Sequence, residues 1–302
     1  MKDMKKLNYW FITGLADVEG SFVVNIIKDN IRTTGYIIQV SFELGLNYKD
    51  KALLENIKYT LGIGNIFYNN NDKIYKFKVS NINELFNVII PHFKKYYLIT
   101  QKHIDFELFS KIVIIIKNKE HLTIQGLQKI VSLKATLNLG ISNNLVKNLP
   151  EIKIMKRDIY NVINIPDSNW LSGFSEGESC FYISIYKSEK SKLGSAVQLV
   201  FKITQHLRDI ELLKNISNYL SCGRVEKRKS EACDFSITSF KSFEEKIIPF
   251  FLANPLHGSK SLELEAFKKA FLIIKDKEHL KEKGLEELKK IKNSMYTNRQ
   301  NN

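Results

Sequence analysis

Cysteine is scarce in this 302-residue sequence, which holds only Cys180, Cys222 and Cys233. No two of them have the spacing of a Cys-x-x-Cys pair, and three thiols cannot all form disulfides. We therefore expect reduced thiols of an intracellular protein, and neither a disulfide framework nor a zinc site. The N-terminus also lacks a secretory apolar segment and an Arg-rich transit peptide, so no targeting segment is predicted.

Acidic residues are outnumbered by basic ones, with 32 Asp and Glu against 46 Lys and Arg and a formal net charge of +14. This surplus favours a polyanionic partner, although many basic proteins read no nucleic-acid sequence. Hydrophobic residues make up 44% of the chain and charged residues 26%, which indicates a globular protein rather than a disordered one. The length allows one large domain or two ordinary ones around a sizeable core.

Two similar stretches, residues 10–22 and 170–181, organise the chain. Each runs from Trp through an apolar turn and a Gly to an acid, a small residue and Glu, and a Phe follows. Neither is long enough to span a membrane, and we predict a short helix that leads directly into a strand. Glycine lowers helix propensity by about 1 kcal/mol relative to Ala, so Gly14 and Gly173 indicate a close contact between the two helices.

Glu19 and Glu178 end the two predicted helices. If the helices pack together, these carboxylates meet where helix carbonyls are unpaired and the partial charge is negative. With the carbonyls of Val18 and Gly177 as further ligands, they form an all-oxygen site that suits Mg²⁺. The alternative is a pair of acidic helix ends in solvent, which the duplication of the motif disfavours.

Residues 12–20 and 171–179 resemble the two motifs of a single-chain LAGLIDADG homing endonuclease, and the wider chain is similar to the fungal mitochondrial, intron-encoded members. The resemblance implies site-specific hydrolysis of one phosphodiester per strand of double-stranded DNA, 3′ overhangs and intron homing. It also implies that Glu19 and Glu178 bind the metal, with Mg²⁺ as cofactor and Ca²⁺ or Mn²⁺ as substitutes. Ser179 stands where the family motif closes with Gly, and we expect it to perturb the turn.

The same resemblance implies a mitochondrial protein, and the abundance of Asn, Ile and Lys fits an AT-rich organellar gene. We expect a monomer that needs no protein partner and no membrane. Both motif glutamates are intact, which favours an enzyme over the competing class, an RNA maturase or DNA-binding regulator of the same fold that does not cleave. The preceding motif acids, Asp17 and Glu176, are expected to bond locally at the helix end rather than to bind metal.

The repeat extends beyond the motifs. Gln39 and Gln198 lie 159 positions apart, as do the motif glutamates, whereas Pro91 and Pro249 lie 158 apart. Two repeats of this length predict two pseudo-twofold halves. Together with the resemblance, they imply an α+β protein of two αββαββα halves, whose antiparallel sheets are expected to form a saddle on duplex DNA. With roughly one helical turn per sheet, the target is expected to span about 20 bp.

Element boundaries follow from turns and periodicity. The N-terminal half is assigned to residues 1–139 and the C-terminal half to residues 170–302. Residues 140–169 between them are assigned as a polar linker, with some helix predicted at 151–162. Pro91 in the first half and Pro249 in the second mark where a helix ends or bends. The predicted strands are 20–28, 36–46, 65–70, 74–80, 179–187, 195–205, 223–229 and 233–239.

Period-2 alternation gives each predicted sheet a core face, as with Phe22 and Val24, and a second face. That face is rich in polar side chains that suit base edges in a major groove; the alternative is a half-exposed sheet with a solvated face. Arg32, in the basic loop after the first strand, is expected to meet phosphate. The residues predicted to face DNA bases are Val23, Asn25, Ile27, Gln39, Ser41, Glu43, Lys76, Lys78, Ser80, Cys180, Tyr182, Ser184, Tyr186, Gln198, Lys202, Thr204, Arg224, Glu226, Arg228, Asp234, Ser236 and Thr238.

Three more residues are catalytic candidates. Lys102 and Lys260 each lie eleven residues after the repeated proline, and a Lys beside a scissile phosphate stabilises the charge that develops there. The alternative is a surface helix lysine in a lysine-rich chain. Gln205 resembles the family's water-positioning residue, but its repeat partner is Leu46, so the two half-sites are expected to differ.

Overall fold

In both halves of the chain, the motif stretch forms a helix that passes directly into a strand. The computed structural model describes residues 4–137, 160 and 164–300, without side chains after 295, and divides the chain into units Met1–Val162 and Ile163–Asn302. The first unit contains α1 Tyr9–Glu19, β1 Gly20–Lys28, β2 Tyr36–Asn47, α2 Lys51–Leu61, β3 Asn65–Asn69, β4 Ile74–Val79, α3 in three segments (Ile82–Glu84, Leu85–Ile89 and Ile90–Lys95), α4 Lys102–Lys117 and α5 Ile124–Thr136.

The second unit repeats this order, which confirms the duplicated α+β fold. Its elements are α6 Ser168–Glu178, β5 Ser179–Lys187, β6 Ser195–His206, α7 Ile210–Leu220, β7 Arg224–Lys227, β8 Ala232–Ile237, α8 in three segments (Phe240–Ser242, Phe243–Ile247 and Ile248–Ala253), α9 Lys260–Lys275 and α10 Glu282–Gln300. Short 3₁₀ turns precede α2 and α7. In the described part of the chain, no helix is both long and apolar enough to cross a membrane.

Each unit has one four-stranded antiparallel sheet, in the order β1-β2-β4-β3 and β5-β6-β8-β7. The registers are equivalent, with Phe22 opposite Phe42 in the first sheet and Phe181 opposite Phe201 in the second. All eight predicted strands are present, although β7 is shorter than predicted. The predicted helix within 151–162 lies outside the described residues except for Tyr160, and the assigned domain boundaries stay predictions.

Aromatic side chains join each sheet to the helices on its core face. The Phe22 ring lies 5.4 Å from Phe42, 5.5 Å from Phe93 of α3 and 5.6 Å from Phe106 of α4, measured between centroids. The second unit repeats the cluster with Phe181, Phe201, Phe251 and Phe267. Burial of these rings, together with their tilted and edge contacts, fixes one face of each sheet against α3 and α4 or α8 and α9. The other face is left for polar side chains.

The two repeated prolines lie inside helices rather than at their ends. Pro91 follows the π-helical segment Leu85–Ile89, and α3 continues to Lys95; α8 has the same arrangement around Pro249. A proline has no N–H to donate, and the wider π turn before it accommodates the lost hydrogen bond. Of the two predicted outcomes, an end or a bend of the helix, the structure excludes the end.

A glycine in each unit lets the chain pass closely over the core. Gly64 has φ +79°, and a Cβ there would lie 2.6 Å from the Phe77 ring; Gly223 has φ +86°, and a Cβ would lie 2.4 Å from the Phe235 ring. Both the left-handed backbone and the close contact exclude a larger residue. These glycines set the start of β3 and β7, and so fix which of their side chains lie on the polar face.

Candidate metal-binding helix ends and nucleic-acid interface

The motif helix α1 is anchored to a loop more than eighty residues away in sequence. Asp17 is buried, and its carboxylate accepts hydrogen bonds from the Ile99 N–H at 3.1 Å, the Thr100 N–H at 3.2 Å and the Thr100 hydroxyl at 2.7 Å. Thr13, one turn earlier, donates to the Tyr96 carbonyl at 3.0 Å. The expectation that Asp17 bonds locally is therefore wrong, because this side chain points into the unit and not along its own helix.

The second unit uses the same anchor with a longer side chain. Glu176 accepts hydrogen bonds from the His257 N–H at 2.8 Å and the Gly258 N–H at 3.0 Å, and Ser172 donates to the Asn254 carbonyl at 3.0 Å. Local bonding is wrong here as well. In both units, the first motif acid holds the loop that leads into the next long helix.

That loop delivers Lys102 to the end of the motif helix. Its Nζ donates to the carbonyl of Val18 at 2.8 Å and to that of Ala16 at 3.1 Å. A cation is favourable there because the last helix carbonyls carry partial negative charge. Lys260 differs, since its Nζ lies 3.6 Å from the carboxylate of Glu263 on its own helix.

Glu19 and Glu178 are the last residues of α1 and α6, and both are half-buried. Ser179 has φ −83° and ψ 158°, close to the φ −75° and ψ 145° of Gly20. The expected distortion of the second motif turn is therefore wrong. Instead, the Ser179 hydroxyl donates to the Ser175 carbonyl at 2.6 Å and reinforces the turn.

The donors at these helix ends fit a hard divalent cation. Each offers a carboxylate and backbone carbonyl oxygens, and the Val18 carbonyl already holds a cation, the Lys102 ammonium. Within residues 4–137, 160 and 164–300, no three His, Cys, Asp or Glu side chains cluster as a metal site. Metal binding by Glu19, Glu178, Val18 and Gly177 stays a prediction, as does contact between the helices at Gly14 and Gly173.

Gln205 lies near the start of the second motif strand. The last pair between β5 and β6 joins Ser179 to Ile203, so Gln205 is two residues further along β6, where α6 ends. The side chain is half-buried, whereas Leu46, at the equivalent position of the first unit, is 8% exposed. The catalytic role of Gln205 and the expected difference between the two half-sites stay predictions.

The polar face of each sheet has the composition that alternation predicted. In β1, Phe22 and Val24 are buried, whereas Val23, Asn25 and Ile27 lie on the opposite face with greater exposure. Most of the other predicted residues share this exposure, and Ser80, Arg228 and Thr238 lie just past strand ends. Three of the predicted contacts are buried on this face, which leaves them little surface for a base: Ser41, Asp234 and Ser236.

Sequence reasoning missed the polar face of β3. Asn65 pairs with Lys78 and Phe67 with Lys76, and residues directly opposite in an antiparallel pair project from the same face. Phe67 is 55% exposed, and a groove of about 530 Å³ lies over it, Lys76 and Glu43. The alternation of Asn65, Phe67 and Asn69 was available as a signal in the sequence.

Glu43 is the centre of a charged cluster on the first sheet. Its carboxylate lies 3.0 Å from the Lys78 Nζ and 3.6 Å from the Lys76 Nζ, and it accepts a hydrogen bond from the Ser41 hydroxyl at 2.8 Å. Burial alone raises the pKa of Glu43, but the bonds from Lys78 and Ser41 and the two positive charges lower it overall. The carboxylate therefore stays charged and holds both lysines.

Asp234 is the centre of an equivalent cluster on the second sheet. It accepts from the Arg228 Nε–H at 2.8 Å and from the Thr204 hydroxyl at 2.7 Å, and its other contact is the Lys202 Nζ at 2.8 Å. Burial raises the pKa of Asp234, but the bonds from Arg228, Lys202 and Thr204 lower it to about 2. This cluster again consists of one carboxylate, two cations and one hydroxyl.

The two clusters occupy the same place with exchanged charges. In the repeat, the position of Glu43 is taken by Lys202, and the position of Lys76 is taken by Asp234. The acid therefore lies on the second strand in one sheet and on the fourth in the other. Both sheets therefore have a charged cluster at this place, but the acidic and basic residues at the two positions are exchanged.

The β1–β2 loop keeps Arg32 exposed. The loop is closed by hydrogen bonds from the Asp29 N–H to the Gly35 carbonyl at 2.8 Å and from the Gly35 N–H to the Arg32 carbonyl at 2.8 Å. The Arg32 side chain is 60% exposed and lies 3.7 Å from the Asp29 carboxylate. This position suits the predicted phosphate contact, which stays a prediction.

Sequence comparison then decides the family, because the model of the LAGLIDADG endonucleases matches residues 12–113 and 171–271. The chain belongs to the LAGLIDADG endonuclease family. It is 40% identical over 96% of its length to the probable intron-encoded endonuclease 2 of Neurospora crassa, and 34% identical over 93% to the probable intron-encoded endonuclease 3 of that fungus. The chain spans 65% and 53% of these relatives.

Solved LAGLIDADG structures cover the whole fold. The chain is 54% identical to I-LtrWI bound to target DNA, with a TM-score of 0.92, and covers 98% of that protein and 96% of its own length. It is 38% identical to I-SmaMI bound to cleaved DNA, with a TM-score of 0.93, coverage of 98% of that chain and 97% of its own. I-SmaMI has also been solved on uncleaved DNA with calcium ions, at a TM-score of 0.92, with coverage of 99% of that chain and 96% of its own.

Proposed function

We propose that this chain is a homing endonuclease that recognises an asymmetric duplex DNA target of about 20 bp and hydrolyses one phosphodiester in each strand, leaving 3′ overhangs. The observation that carries the proposal is the combination of a motif glutamate at the end of each motif helix with a polar sheet face in the same unit. The complexes of I-LtrWI with target DNA and of I-SmaMI with cleaved DNA support it.

Recognition is assigned to the two polar sheet faces. Two-stranded ribbons fit the major groove, where Arg or Lys pairs with guanine and Gln or Asn with adenine. Gln39 and Gln198 are exposed at equivalent positions, whereas the charged clusters differ between the sheets. Equivalent geometry with different chemistry suits a target whose two halves are unlike. Basic loops such as that of Arg32 would hold phosphates and fix the register.

Catalysis is assigned to the helix ends. Glu19 with the Val18 carbonyl, and Glu178 with the Gly177 carbonyl, would hold Mg²⁺, which supplies Lewis-acid activation of water and of the leaving oxygen. The carboxylates and carbonyls orient the site, and the buried Asp17 and Glu176 fix the loops beside it. I-SmaMI on uncleaved DNA with calcium ions supports a divalent cofactor, with Ca²⁺ or Mn²⁺ as substitutes for Mg²⁺.

Lys102, Lys260 and Gln205 are assigned supporting roles. The ammonium of Lys102 lies against the end of α1, from where it would stabilise negative charge on the scissile phosphate. Gln205 would hold the attacking water in one half-site through its amide. The first half-site has Leu46 there, and so must orient water in another way.

The proposed localisation and biological role are taken from the relatives. They are named as intron-encoded endonucleases of fungi, and one of 35% identity over 36% of this chain is Cox1-I1b of Schizosaccharomyces pombe. We assign the protein to the mitochondrion and to intron homing. Both motifs lie in one chain, so it is assigned as a monomer that requires no protein partner.

The test begins with selection of cleaved sites from a randomised duplex library in Mg²⁺, followed by cleavage of the selected site in a plasmid. Glu19→Gln and Glu178→Gln should each abolish double-strand cleavage while retaining DNA binding. Glu55→Gln on α2 is the matched control and should cleave normally. Selective binding by the wild-type chain with no cleavage in any divalent metal would replace the endonuclease with the binding-protein alternative.

A further inference from the structure

Arg228 is the only cation of the two charged clusters that carries a planar fork. Its Nε–H donates to Asp234 at 2.8 Å, and its Nη2 donates to the Thr204 hydroxyl at 3.3 Å. Both bonds lie on the side edge of the guanidinium. Two points fix a planar group in orientation, whereas an ammonium held by one carboxylate can still rotate.

Arg228 is far more exposed than the carboxylate that holds it. The Asp234 side chain is 10% exposed and the Arg228 side chain 44% exposed. The carboxylate therefore lies below the surface of the polar face and cannot itself reach a base edge. With the side edge held by Asp234 and Thr204, neither bond uses the end edge of the guanidinium, which carries one N–H on each Nη. This pair of parallel donors matches the O6 and N7 acceptors of guanine.

We propose that Asp234 is a positioning residue that makes Arg228 a guanine reader in the C-terminal half-site. The inference rests on the proposed function and deepens it, because it assigns a base and a mechanism of specificity to one side chain. Thr204 contributes the second fixed point. The low pKa of Asp234 is consistent with this role, since the carboxylate keeps its charge at every pH at which the protein would work.

The first sheet provides the contrast. Glu43 holds two lysines, which are point charges without a planar fork, so the same kind of cluster positions cations there without bidentate geometry. The N-terminal cluster should favour acceptor-rich base edges broadly, and the C-terminal cluster should demand guanine at one position.

The experiment measures base preference at every position of the selected target, as binding in Ca²⁺ so that cleavage does not interfere. Asp234→Asn should reduce the preference for guanine at one C-terminal position by about tenfold or more, and leave other positions within about twofold. Arg228→Lys, which keeps the charge but removes the fork, should reduce preference at the same position. The double variant Asp234→Asn/Arg228→Lys should lose no more than Arg228→Lys alone, since Asp234 acts through Arg228.

Glu43→Gln is the matched control, and should alter preference only in the other half-site. An Asp234→Asn profile equal to wild type, or a uniform loss of affinity at all positions, would overturn the inference, as would a wild-type target in which the position sensitive to Arg228→Lys is not guanine. Failure of the wild-type chain to select any target would instead reject the proposed function. Unfolding midpoints of the variants separate loss of fold from loss of reading.

Discussion

Asp17 in the first unit and Glu176 in the second hold equivalent loops, and each accepts hydrogen bonds from two consecutive backbone N–H groups of its loop. The polar faces and helix ends differ far more: Leu46 stands where the second unit has Gln205, and the acid of the charged cluster changes strand. Positions that hold the fold have kept their contacts through the duplication, and positions next to the proposed DNA site have diverged. The comparison teaches that asymmetry is concentrated where an asymmetric target would require it.

The anchor of the motif helix should give the largest effect. Asp17→Ala leaves two buried N–H donors and a hydroxyl without their partner, and we expect a loss of about 3–5 kcal/mol of unfolding free energy. Glu176→Ala should cost a similar amount, because the N–H groups of His257 and Gly258 lose their acceptor. Urea unfolding measures both, with the partly exposed Glu55→Ala as a control that should stay within about 0.5 kcal/mol of wild type. Equal losses in all three variants would show that the anchors are not structural.

A buried histidine should make the first unit sensitive to acid. Burial lowers the pKa of His92 to about 4 from 6.5, so folded His92 stays neutral while the unfolded chain takes up a proton as pH falls below about 6.5. Stability is therefore lost between about pH 6.5 and 4, by about 3 kcal/mol in all. His92→Phe, which copies the equivalent Phe250, should remove this loss; Thr13 keeps its bond to the Tyr96 carbonyl. Unfolding midpoints from pH 7 to 4 test it, and parallel curves for both proteins would contradict it.

The two repeated lysines should differ in their effect on stability. Lys102→Ala removes two charge-assisted bonds to carbonyls at the end of α1, and we expect a loss of about 2 kcal/mol. Lys260→Ala removes a contact of 3.6 Å within one helix turn and should cost less than about 0.5 kcal/mol. Thermal unfolding of both variants measures the difference. If Lys260→Ala is the more destabilising variant, then Lys260 and not Lys102 makes the stronger stabilising contacts.

Two arginines should separate positioning from reading, with the smallest effects. Arg224→Ala should weaken binding by about 1 kcal/mol and only at one or two target positions, because Glu226 at 3.2 Å competes for its guanidinium. Arg32→Ala should weaken binding on every sequence alike and lower the salt slope by about one. Base-by-base affinity profiles at two salt concentrations measure both. A uniform loss for Arg224→Ala would mean that this side chain contacts phosphate.

The sequence predicted what depends on period and repetition. The strand faces around Phe22 and Phe42, the order of elements and the motif helix ends follow from local alternation and from the copy 159 residues away. The partners of Asp17 were not predictable, because they lie in a loop whose approach depends on the packing of α4. The burial of Asp234 was missed for a similar reason, since a strand pattern assigns a face but does not show which neighbours cover it.

The exchanged charges of the two clusters bear on how such a protein can be recombined. Each cluster is complete within its own sheet, so a whole unit carries its electrostatic pairing with it. A single strand does not: β2 in place of β6 would set Glu43 beside Asp234, and the reverse exchange would place Lys202 among Lys76 and Lys78. Compatible chimaeras are therefore expected to cross over between units rather than between strands. A chimaera should therefore keep each sheet whole, because the paired charges of its cluster come from more than one of its strands.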